Sequence, residues 1–199
     1  MRAMKMNGFS RRAMLAASML LSLARSKHAN ARSKILPLRS DAKILVAYFT
    51  RSGNTQVIAS TLHRDLGSEY FQIQPQKPYP EDYEQTVAQA KQERDSGYEP
   101  PLAMTVPDFN TYDTVFLGFP IWGETTPPII RSFLRAHDCN GKTVRPFITH
   151  GSYGVGNSLS VLARHAQGAT IEEPFVMEAD QERRTLNQVR SWLDDIRHT

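Results

Sequence analysis

The segment Lys43–Thr55 constrains the fold more than any other part of the chain. An apolar run, Lys43–Phe49, changes abruptly into a short loop of hydroxyl, glycine and amide residues, and a helical pattern follows at once. The apolar run is typical of a parallel strand that is covered on both faces. A strand, a tight loop and a helix N-terminus in this order direct backbone N–H groups and the positive end of a helix dipole toward an anion.

The loop itself has the donors of a phosphate site. The side-chain donors are three hydroxyls and one amide, those of Thr50, Ser52, Thr55 and Asn54. Gly53 permits the tight turn, but the Gly-Lys-[Ser/Thr] sequence of nucleoside-triphosphate loops does not follow it. We therefore predict a phosphomonoester pocket without a metal ion, which suits FMN better than ATP. The alternative is a turn of small residues that binds nothing.

Strand and helix patterns alternate along the chain from this segment onward. Strands are predicted at 43–49, 70–73, 114–119, 144–149 and 175–177. Helices are predicted at roughly 57–66, 81–94, 126–134, 159–166 and 186–196. Such alternation with short connections predicts an α/β fold with a parallel sheet and helices on both faces. Ligands of these sheets bind outside the carboxyl ends of the strands, where the first loop lies.

Two later strands also end in loops with features of a ligand site. Gly118–Pro128 carries Trp122, and a tryptophan exposed in a loop is costly unless it packs against a partner such as a planar heteroaromatic ring. Thr149–Ser158 is rich in glycine, which lets the backbone approach a ring edge, but its glycine spacing is not a dinucleotide fingerprint. For each loop alone, ordinary turn chemistry is the alternative. Three such loops at one sheet edge favour a common site.

These three loops resemble those of flavodoxins. Thr50–Thr55 is similar to the FMN-phosphate loop, Gly118–Gly123 to the ring-stacking loop, and Gly151–Ser158 to the third loop of a bacterial flavodoxin-like subfamily. The similarity spans Lys43 to Met177. It implies a flavodoxin-like doubly wound five-stranded parallel sheet in the order 2-1-3-4-5, with non-covalently bound FMN. The phosphate residues that it implies are Thr50, Arg51, Ser52, Gly53, Asn54 and Thr55. The ring residues that it implies are Pro120, Ile121, Trp122, Gly123, Gly151, Ser152, Tyr153 and Gly154, with Trp122 as the stacking residue.

Residues 1–31 have the features of a signal peptide. Ser10-Arg11-Arg12 precedes an apolar stretch, Ala13–Ala24, and Ala29-Asn30-Ala31 offers an A-x-A cleavage site, a pattern that resembles a twin-arginine export signal. The apolar stretch is about half of the roughly 20 residues that cross a bilayer, so we expect no membrane span after processing. A Sec-type signal or a disordered basic N-terminus are the alternatives. Residues 32–199 are then predicted to form a single flavodoxin-like domain in the periplasm or elsewhere outside the cytoplasm.

Removal of this segment reverses the sign of the net charge. The whole chain has 24 Lys and Arg, 20 Asp and Glu and a net charge of +4. Six of the cations and no acids lie in residues 1–31, which leaves 18 cations against 20 acids and a mature net charge of −2. No basic stripe with interleaved aromatics remains, so we predict that nucleic acid is not a partner.

Other residues are assigned to packing. The sparse apolar side of the polar helix predicted at 81–94 would consist of Tyr83, Val87 and Ala90. Trp192 lies beside the apolar stripe of the last helix and is predicted to pack in the core. Cys139, the one cysteine, excludes an intramolecular disulfide and is interpreted as a half-buried structural thiol. The six histidines are scattered singly, so no metal site is predicted.

Three functions are compatible with these features. In the first, FMN carries electrons between redox partner proteins, and the chain has no catalytic residues of its own. In the second, the chain is an NAD(P)H-dependent quinone or flavin reductase on the same fold, which the missing NAD(P) motif and the scarcity of NAD(P)H outside the cytoplasm disfavour. In the third, it is a flavin-free binding module, which bound FMN would exclude.

Overall fold

A computed structural model of the chain describes residues 38–39, 41–178 and 182–198. These residues all belong to one compact unit, residues 32–199. The predicted signal peptide, residues 1–31, lies outside the described residues.

Strands and helices alternate as the sequence predicts, apart from one additional short strand at 170–171 that was not predicted. The strands are β1 Ile44–Tyr48, β2 Glu69–Gln72, β3 Thr114–Pro120, β4 Thr143–His150, β5 Thr170–Ile171 and β6 Phe175–Glu178. The α-helices are α1 Asn54–Leu66, α2 Tyr83–Ser96, α3 Pro128–Ala136, α4 Ser158–His165 and α5 Glu182–His198.

The strands form one parallel sheet in the order β2-β1-β3-β4-β5, which confirms the predicted order 2-1-3-4-5. The fifth position of the sheet is divided between two short strands. The first, β5, pairs with the first residues of β4, and β6 pairs with its last four residues, Phe147–His150. The interruption between β5 and β6 therefore lies opposite the middle of β4.

Pro146 gives a physical reason for this interruption. The N–H of Glu172, just after β5, donates to the carbonyl of Val144 at 3.0 Å, so the backbone polar groups of Val144 face the edge of the sheet. Backbone polar groups alternate in direction along a strand, so those of Pro146 face the same edge. Proline has no N–H to donate, and the ladder fails at this point. Pro146 thus does not end β4, but it divides the strand beside it.

A buried ion pair holds the interrupted segment against β4. Arg145 is 1% exposed, and its Nη1 lies 2.7 Å from Oε2 of Glu172, which is also buried. Burial lowers the pKa of the Arg145 guanidinium, and the carboxylate of Glu172 opposes this shift. Removing one partner of such a pair leaves an uncompensated buried charge, which is strongly destabilising. The ion pair of Arg145 and Glu172 therefore favours the native arrangement of the sheet edge over arrangements that separate the two residues.

Helices cover both faces of the sheet. One core lies between the sheet and helices α3 and α4, and its largest buried members include Leu117, Phe119, Ile129, Phe133 and Leu162. The second core lies between the sheet and helices α1 and α5, and it includes Tyr48, Phe116, Phe147, Leu62 and Leu193. Successive residues of a strand point to opposite faces, so β1 and β3 are apolar at almost every position because both faces are buried. The eight residues of β4 include four polar ones, among them the buried Arg145.

Gly118 makes room for an aromatic ring in the second core. A Cβ atom at this position would lie 2.0 Å from Cε2 of Phe147 on the neighbouring strand. Only glycine therefore lets Phe147 lie over the backbone of β3. Trp192 packs in the same core, with its ring stacked 5.1 Å from Phe175, which confirms the packing role predicted for it.

The prediction for the apolar side of α2 is wrong for two of three residues. Tyr83 is 63% exposed and Val87 44% exposed, whereas Ala90 is buried with the polar residues Thr86 and Glu93. Hydrogen bonds satisfy those two polar side chains. The Thr86 hydroxyl donates to the carbonyl of Pro80, and the Glu93 carboxylate accepts from Tyr79 and Gln89. Tertiary hydrogen bonding therefore overrides the apolar pattern.

Cys139 is fully buried rather than half-buried, and burial raises the pKa of its thiol to about 11. A neutral, inaccessible thiol is unreactive, which agrees with a structural role. The described part of the chain contains no cluster of three or more side chains arranged to hold a metal ion.

None of the helices in the described ranges combines the length and the apolar character needed to cross a membrane.

His137 predicts a pH dependence of stability. Its Nε2 accepts the N–H of Val106 at 2.9 Å and its Nδ1 donates to the carbonyl of Phe133 at 2.8 Å, so the folded protein holds the neutral ring. Burial lowers its pKa. The unfolded chain takes up this proton near pH 6.5 and the folded protein only at lower pH. The contribution of His137 to stability is therefore complete above about pH 6.5 and decreases as the pH falls toward the folded pKa.

Denaturant unfolding of the full chain between pH 5 and 8 tests this prediction. We expect the free energy of unfolding to fall with acidification by about 1.4 kcal/mol for each unit by which the pKa is lowered. The His137→Gln variant should lose this component of the slope, and His198→Gln, at the exposed end of α5, should keep it. Equal slopes in wild type and His137→Gln would refute the assignment.

Candidate functional site

The three predicted loops meet at the carboxyl edge of the sheet. The first follows β1, the second follows β3 and the third follows β4. Backbone hydrogen bonds continue beyond the strands, from the N–H of Phe49 to the carbonyl of Gly118 and from the N–H of Ile121 to the carbonyl of Thr149, both at 2.8 Å. Each loop therefore starts from a fixed position beside its neighbour.

The first loop presents unpaired N–H groups at the start of α1. Gly53 has a φ of 91°, which favours glycine, and its N–H donates to the hydroxyl of Thr50 at 3.0 Å. No side chain caps the helix. The first helical hydrogen bond runs from Val57 to Gly53, so the N–H groups of residues 54–56 have no acceptor in the part of the chain that the structure describes. An anion placed here would accept from N–H groups and interact with the positive end of the helix dipole.

Two buried hydroxyls lie under this helix end. Oγ1 of Thr55 is 2.8 Å from Oγ1 of Thr149 at the end of β4, and both residues are buried. One hydroxyl donates to the other, so one hydroxyl proton of the pair remains for a further acceptor. The pair also connects the first loop to the strand that precedes the third loop.

The remaining phosphate residues differ in their surroundings. The side chains of Ser52 and Asn54 lie at the surface or half-buried, and neither makes a hydrogen bond within the described residues. Arg51 donates to the carbonyl of Glu81 at 2.8 Å and lies 5.5 Å from the centre of the Tyr83 ring. The structure therefore connects the Arg51 side chain to the start of α2 and does not place it beside the unpaired N–H groups.

Trp122 in the second loop has protein partners. Its ring meets Phe49 at 5.1 Å and Tyr79 at 4.9 Å, both edge to face, and the residue is half-buried. Aromatic residues from two other loops therefore cover part of the tryptophan and supply protein partners for its ring. Pro120 and Ile121 before it are also half-buried, and Gly123 after it is exposed.

A buried carboxylate anchors this aromatic cluster. The Tyr79 hydroxyl donates to Oε2 of Glu93 in α2 at 2.8 Å. Burial, followed by the interaction with Glu93, raises the pKa of Tyr79, so the hydroxyl stays protonated. Tyr79 and Glu93 were not predicted as parts of the site. The Pro78-Tyr79-Pro80 sequence was a weak signal, since proline on both sides restricts the backbone that presents the ring.

A cavity of about 450 Å³ lies beside Trp122 on the β2 side of the first loop. Its wall contains the aromatic rings of Phe49, Tyr79 and Trp122, together with polar groups from the first loop and from the end of β2. The lining includes Phe49, Thr50, Arg51, Gln72, Gln74, Tyr79 and Trp122.

The third loop combines an exposed tip with a tightly packed base. Gly151, Ser152 and Tyr153 are exposed, Tyr153 at 83%, and Gly154 is half-buried. His150 just before them contacts the carbonyl of Gly151 through Nδ1. The structure thus brings the first and second loops together through their side chains and leaves the tip of the third loop in solvent.

The base of the third loop lies against the second loop. The N–H of Asn157 donates to the carbonyl of Glu124 at 3.1 Å, and a Cβ atom on Gly156 would lie 1.8 Å from that same carbonyl oxygen. Glu124 has a φ of 61°, which is uncommon for a residue other than glycine. The contact between Gly156 and Glu124 therefore fixes the relative position of these two loops.

Comparison with known proteins agrees with this geometry. The flavodoxin family model matches residues 43–196. The chain belongs to the flavodoxin family. FMN is the cofactor of this family, in agreement with the prediction from the loops. Among curated proteins, none matches the chain.

Solved structures give the same fold. A flavoprotein structure from Bacteroides eggerthii DSM 20697 is 32% identical with a TM-score of 0.67, and the match covers 80% of this chain and 100% of that one. A second, from Bacteroides uniformis ATCC 8492, is 29% identical with a TM-score of 0.66, and the match covers 75% of this chain and 98% of that one. A flavoprotein from Lactobacillus acidophilus NCFM, solved in complex with FMN, is 19% identical with a TM-score of 0.56. This match covers 73% of this chain and 99% of that one.

The contact between the loops gives a test with a matched control. Gly156→Ala must displace the carbonyl of Glu124 and adopt a positive φ of 53°, so we expect it to lower the free energy of unfolding by about 1–3 kcal/mol. Gly151→Ala, in the same loop, meets no atom within 4 Å and should change it by less than about 0.5 kcal/mol. Chemical denaturation of both variants measures the difference. Equal stabilities would contradict the close approach of the two loops.

Proposed function

We propose that this flavodoxin-family chain binds FMN non-covalently and transfers electrons between protein partners outside the cytoplasm. The observation that carries the proposal is the uncapped start of α1, where three consecutive N–H groups lack acceptors among the described residues. Helix ends usually have capping partners, so this one is prepared for an anion that the chain does not itself provide.

The first loop fits a phosphomonoester. Its donors are backbone N–H groups, the Ser52 hydroxyl, the Asn54 amide and the spare proton of the Thr55–Thr149 pair. No carboxylate lies within Thr50–Thr55 to repel a phosphomonoester, which carries about two negative charges. These residues would hold the phosphate of FMN and orient the cofactor along the carboxyl edge.

The second and third loops would hold the flavin ring. Trp122 offers an aromatic surface that is fixed by Phe49 and Tyr79, and Gly151–Gly154 offer backbone N–H and carbonyl groups at a solvent-exposed tip. Bound FMN supplies the redox chemistry, and the protein supplies binding, orientation and electrostatics. The exposure of Tyr153 supports electron exchange with a docked protein, because the tip of the third loop is accessible from outside.

Purification of the full chain tests cofactor binding directly. We expect flavin absorption bands and release of FMN, identified by its mass, on denaturation. Trp122→Ala should weaken FMN binding by about 1–3 kcal/mol, by analogy with base–aromatic stacking. Trp122→Phe should restore part of the affinity, and Trp192→Phe, in the core below the other face of the sheet, should leave it unchanged. A colourless protein that does not take up added FMN would overturn the proposal.

Location outside the cytoplasm is tested through the predicted signal. The twin-arginine route transports folded proteins, so it would allow FMN to be loaded in the cytoplasm before export. We expect Arg11→Lys combined with Arg12→Lys to keep the precursor inside the cell, and Arg2→Lys combined with Lys5→Arg to leave export unchanged. Fractionation and immunoblotting measure both. Normal export of the first double variant would indicate the Sec route.

A second candidate function is supported by the cavity beside Trp122. An aromatic-lined space of about 450 Å³ next to the predicted ring site could accept a nicotinamide or a quinone, as an NAD(P)H-dependent quinone or flavin reductase requires. Steady-state oxidation of NADPH by the FMN-loaded full chain, with a quinone as acceptor, distinguishes the two functions. Multiple turnovers would favour the reductase, and their absence would favour the electron carrier.

A further inference from the structure

Three arginines from three different helices line one cavity behind the second and third loops. Arg94 comes from α2, Arg131 from α3 and Arg164 from α4, and the cavity measures about 450 Å³. Its remaining wall consists mainly of Gly123–Thr125 and Gly156–Asn157. We propose that this arginine cavity binds the diphosphate group of a small molecule, a site distinct from the phosphate loop at the start of α1.

The charge in the arginine cavity is unbalanced. Glu124 is the one carboxylate in its lining. The Nε of Arg94 lies 3.7 Å from Oδ1 of Asp95, which is half exposed, and neither Arg131 nor Arg164 has a carboxylate partner in the part of the chain that the structure describes. Glu99 nearby is bound by Arg135 and His165 instead. The cavity therefore concentrates positive charge on a chain whose predicted mature form is slightly acidic.

Backbone hydrogen bonds hold two of the three guanidinium groups in place and leave some of their donors unused. Arg131 donates from Nη2 to the carbonyl of Tyr98 at 3.1 Å, and its buried Nε has no acceptor among the described residues. Arg164 donates from Nε to the carbonyl of Ser160 at 3.2 Å, which leaves its two terminal nitrogens available. Arg94 lies against the second loop, because a Cβ atom on Gly123 would be 2.4 Å from its Nη1.

These features favour a phosphate ligand. Guanidinium groups bind phosphate through two parallel charge-assisted hydrogen bonds, and a buried N–H without an acceptor is costly until a ligand pairs with it. The volume of the cavity exceeds that of a single phosphate, so a diphosphate or a phosphate attached to a larger molecule fits better. A ligand in this cavity would contact Gly123, next to Trp122, and would therefore lie beside the loop assigned to the flavin ring.

Calorimetric titration of the FMN-saturated full chain with inorganic diphosphate, at low and constant ionic strength, tests the proposal. FMN fills the first loop, so this loop does not compete for the titrant. We expect one saturable site, weakened about tenfold by Arg164→Gln and about tenfold by Arg94→Gln, since each loses a charge-assisted hydrogen bond. Arg190→Gln, an exposed arginine on α5, should bind as wild type. Absence of a saturable site, or equal affinities in all variants, would overturn the proposal.

The same titration identifies the source of the diphosphate. Tighter binding of NADP⁺, which does not reduce FMN, than of inorganic diphosphate, with the same loss in Arg164→Gln, would assign the cavity to a dinucleotide. Equal affinities would assign it to the free anion. Both results support the proposal.

The inference does not require FMN binding, and the two can fail separately. If the chain takes up no FMN, the titration is repeated on the FMN-free chain with Ser52→Ala as an added variant. Weakening by Arg164→Gln alone would retain the arginine cavity without the flavin proposal. Weakening by Ser52→Ala alone would assign the diphosphate to the first loop and refute the arginine cavity.

Discussion

Burial of the central strands on both faces is the constraint on which the rest of the structure depends. Helices α1 and α5 cover one face of β1, β3 and β4, and helices α3 and α4 cover the other, so β1 and β3 have almost no polar side chain and the arginine buried in β4 has an ion-pair partner. Their backbone groups must pair within the sheet, and polar groups become available only where the strands end. Chemistry is therefore confined to the loops at the carboxyl edge.

Close backbone approach then sets the geometry of these loops. The carbonyl of Glu124 lies in space that a side chain at position 156 would occupy, and the Thr55–Thr149 hydroxyl pair connects α1 to β4. Because the loops contact one another directly, their ligand groups are arranged before a ligand arrives, which lowers the entropy cost of binding. Glu124 and Gly156, which form the contact between the loops, also line the arginine cavity. A ligand in this cavity would therefore be coupled to the position of the second loop.

Two buried charged side chains in the interior have partners of their own. Arg145 is buried with Glu172, and Glu93 is buried with Tyr79 and Gln89. The first pair holds the divided edge of the sheet beside Pro146, and the second anchors the aromatic cluster around Trp122. Composition could not reveal either pair, because each is formed by residues that are distant or unremarkable in sequence. An arginine in a strand pattern is ordinarily interpreted as exposed.

The sequence by itself determined the order of strands and helices and the position of the first loop, because periodicity, glycine and hydroxyl residues act over a few neighbouring positions. The sheet order was implied by the resemblance to flavodoxins. The sequence also located the second and third loops, since parallel strands end at one edge. Tertiary structure alone decided which residues surround Trp122, which side of α2 is buried and which arginines share a cavity. Arg94, Arg131 and Arg164 lie on separate helices, and only the packing of those helices brings them together. Local patterns specify elements, whereas long-range packing specifies the chemistry between them.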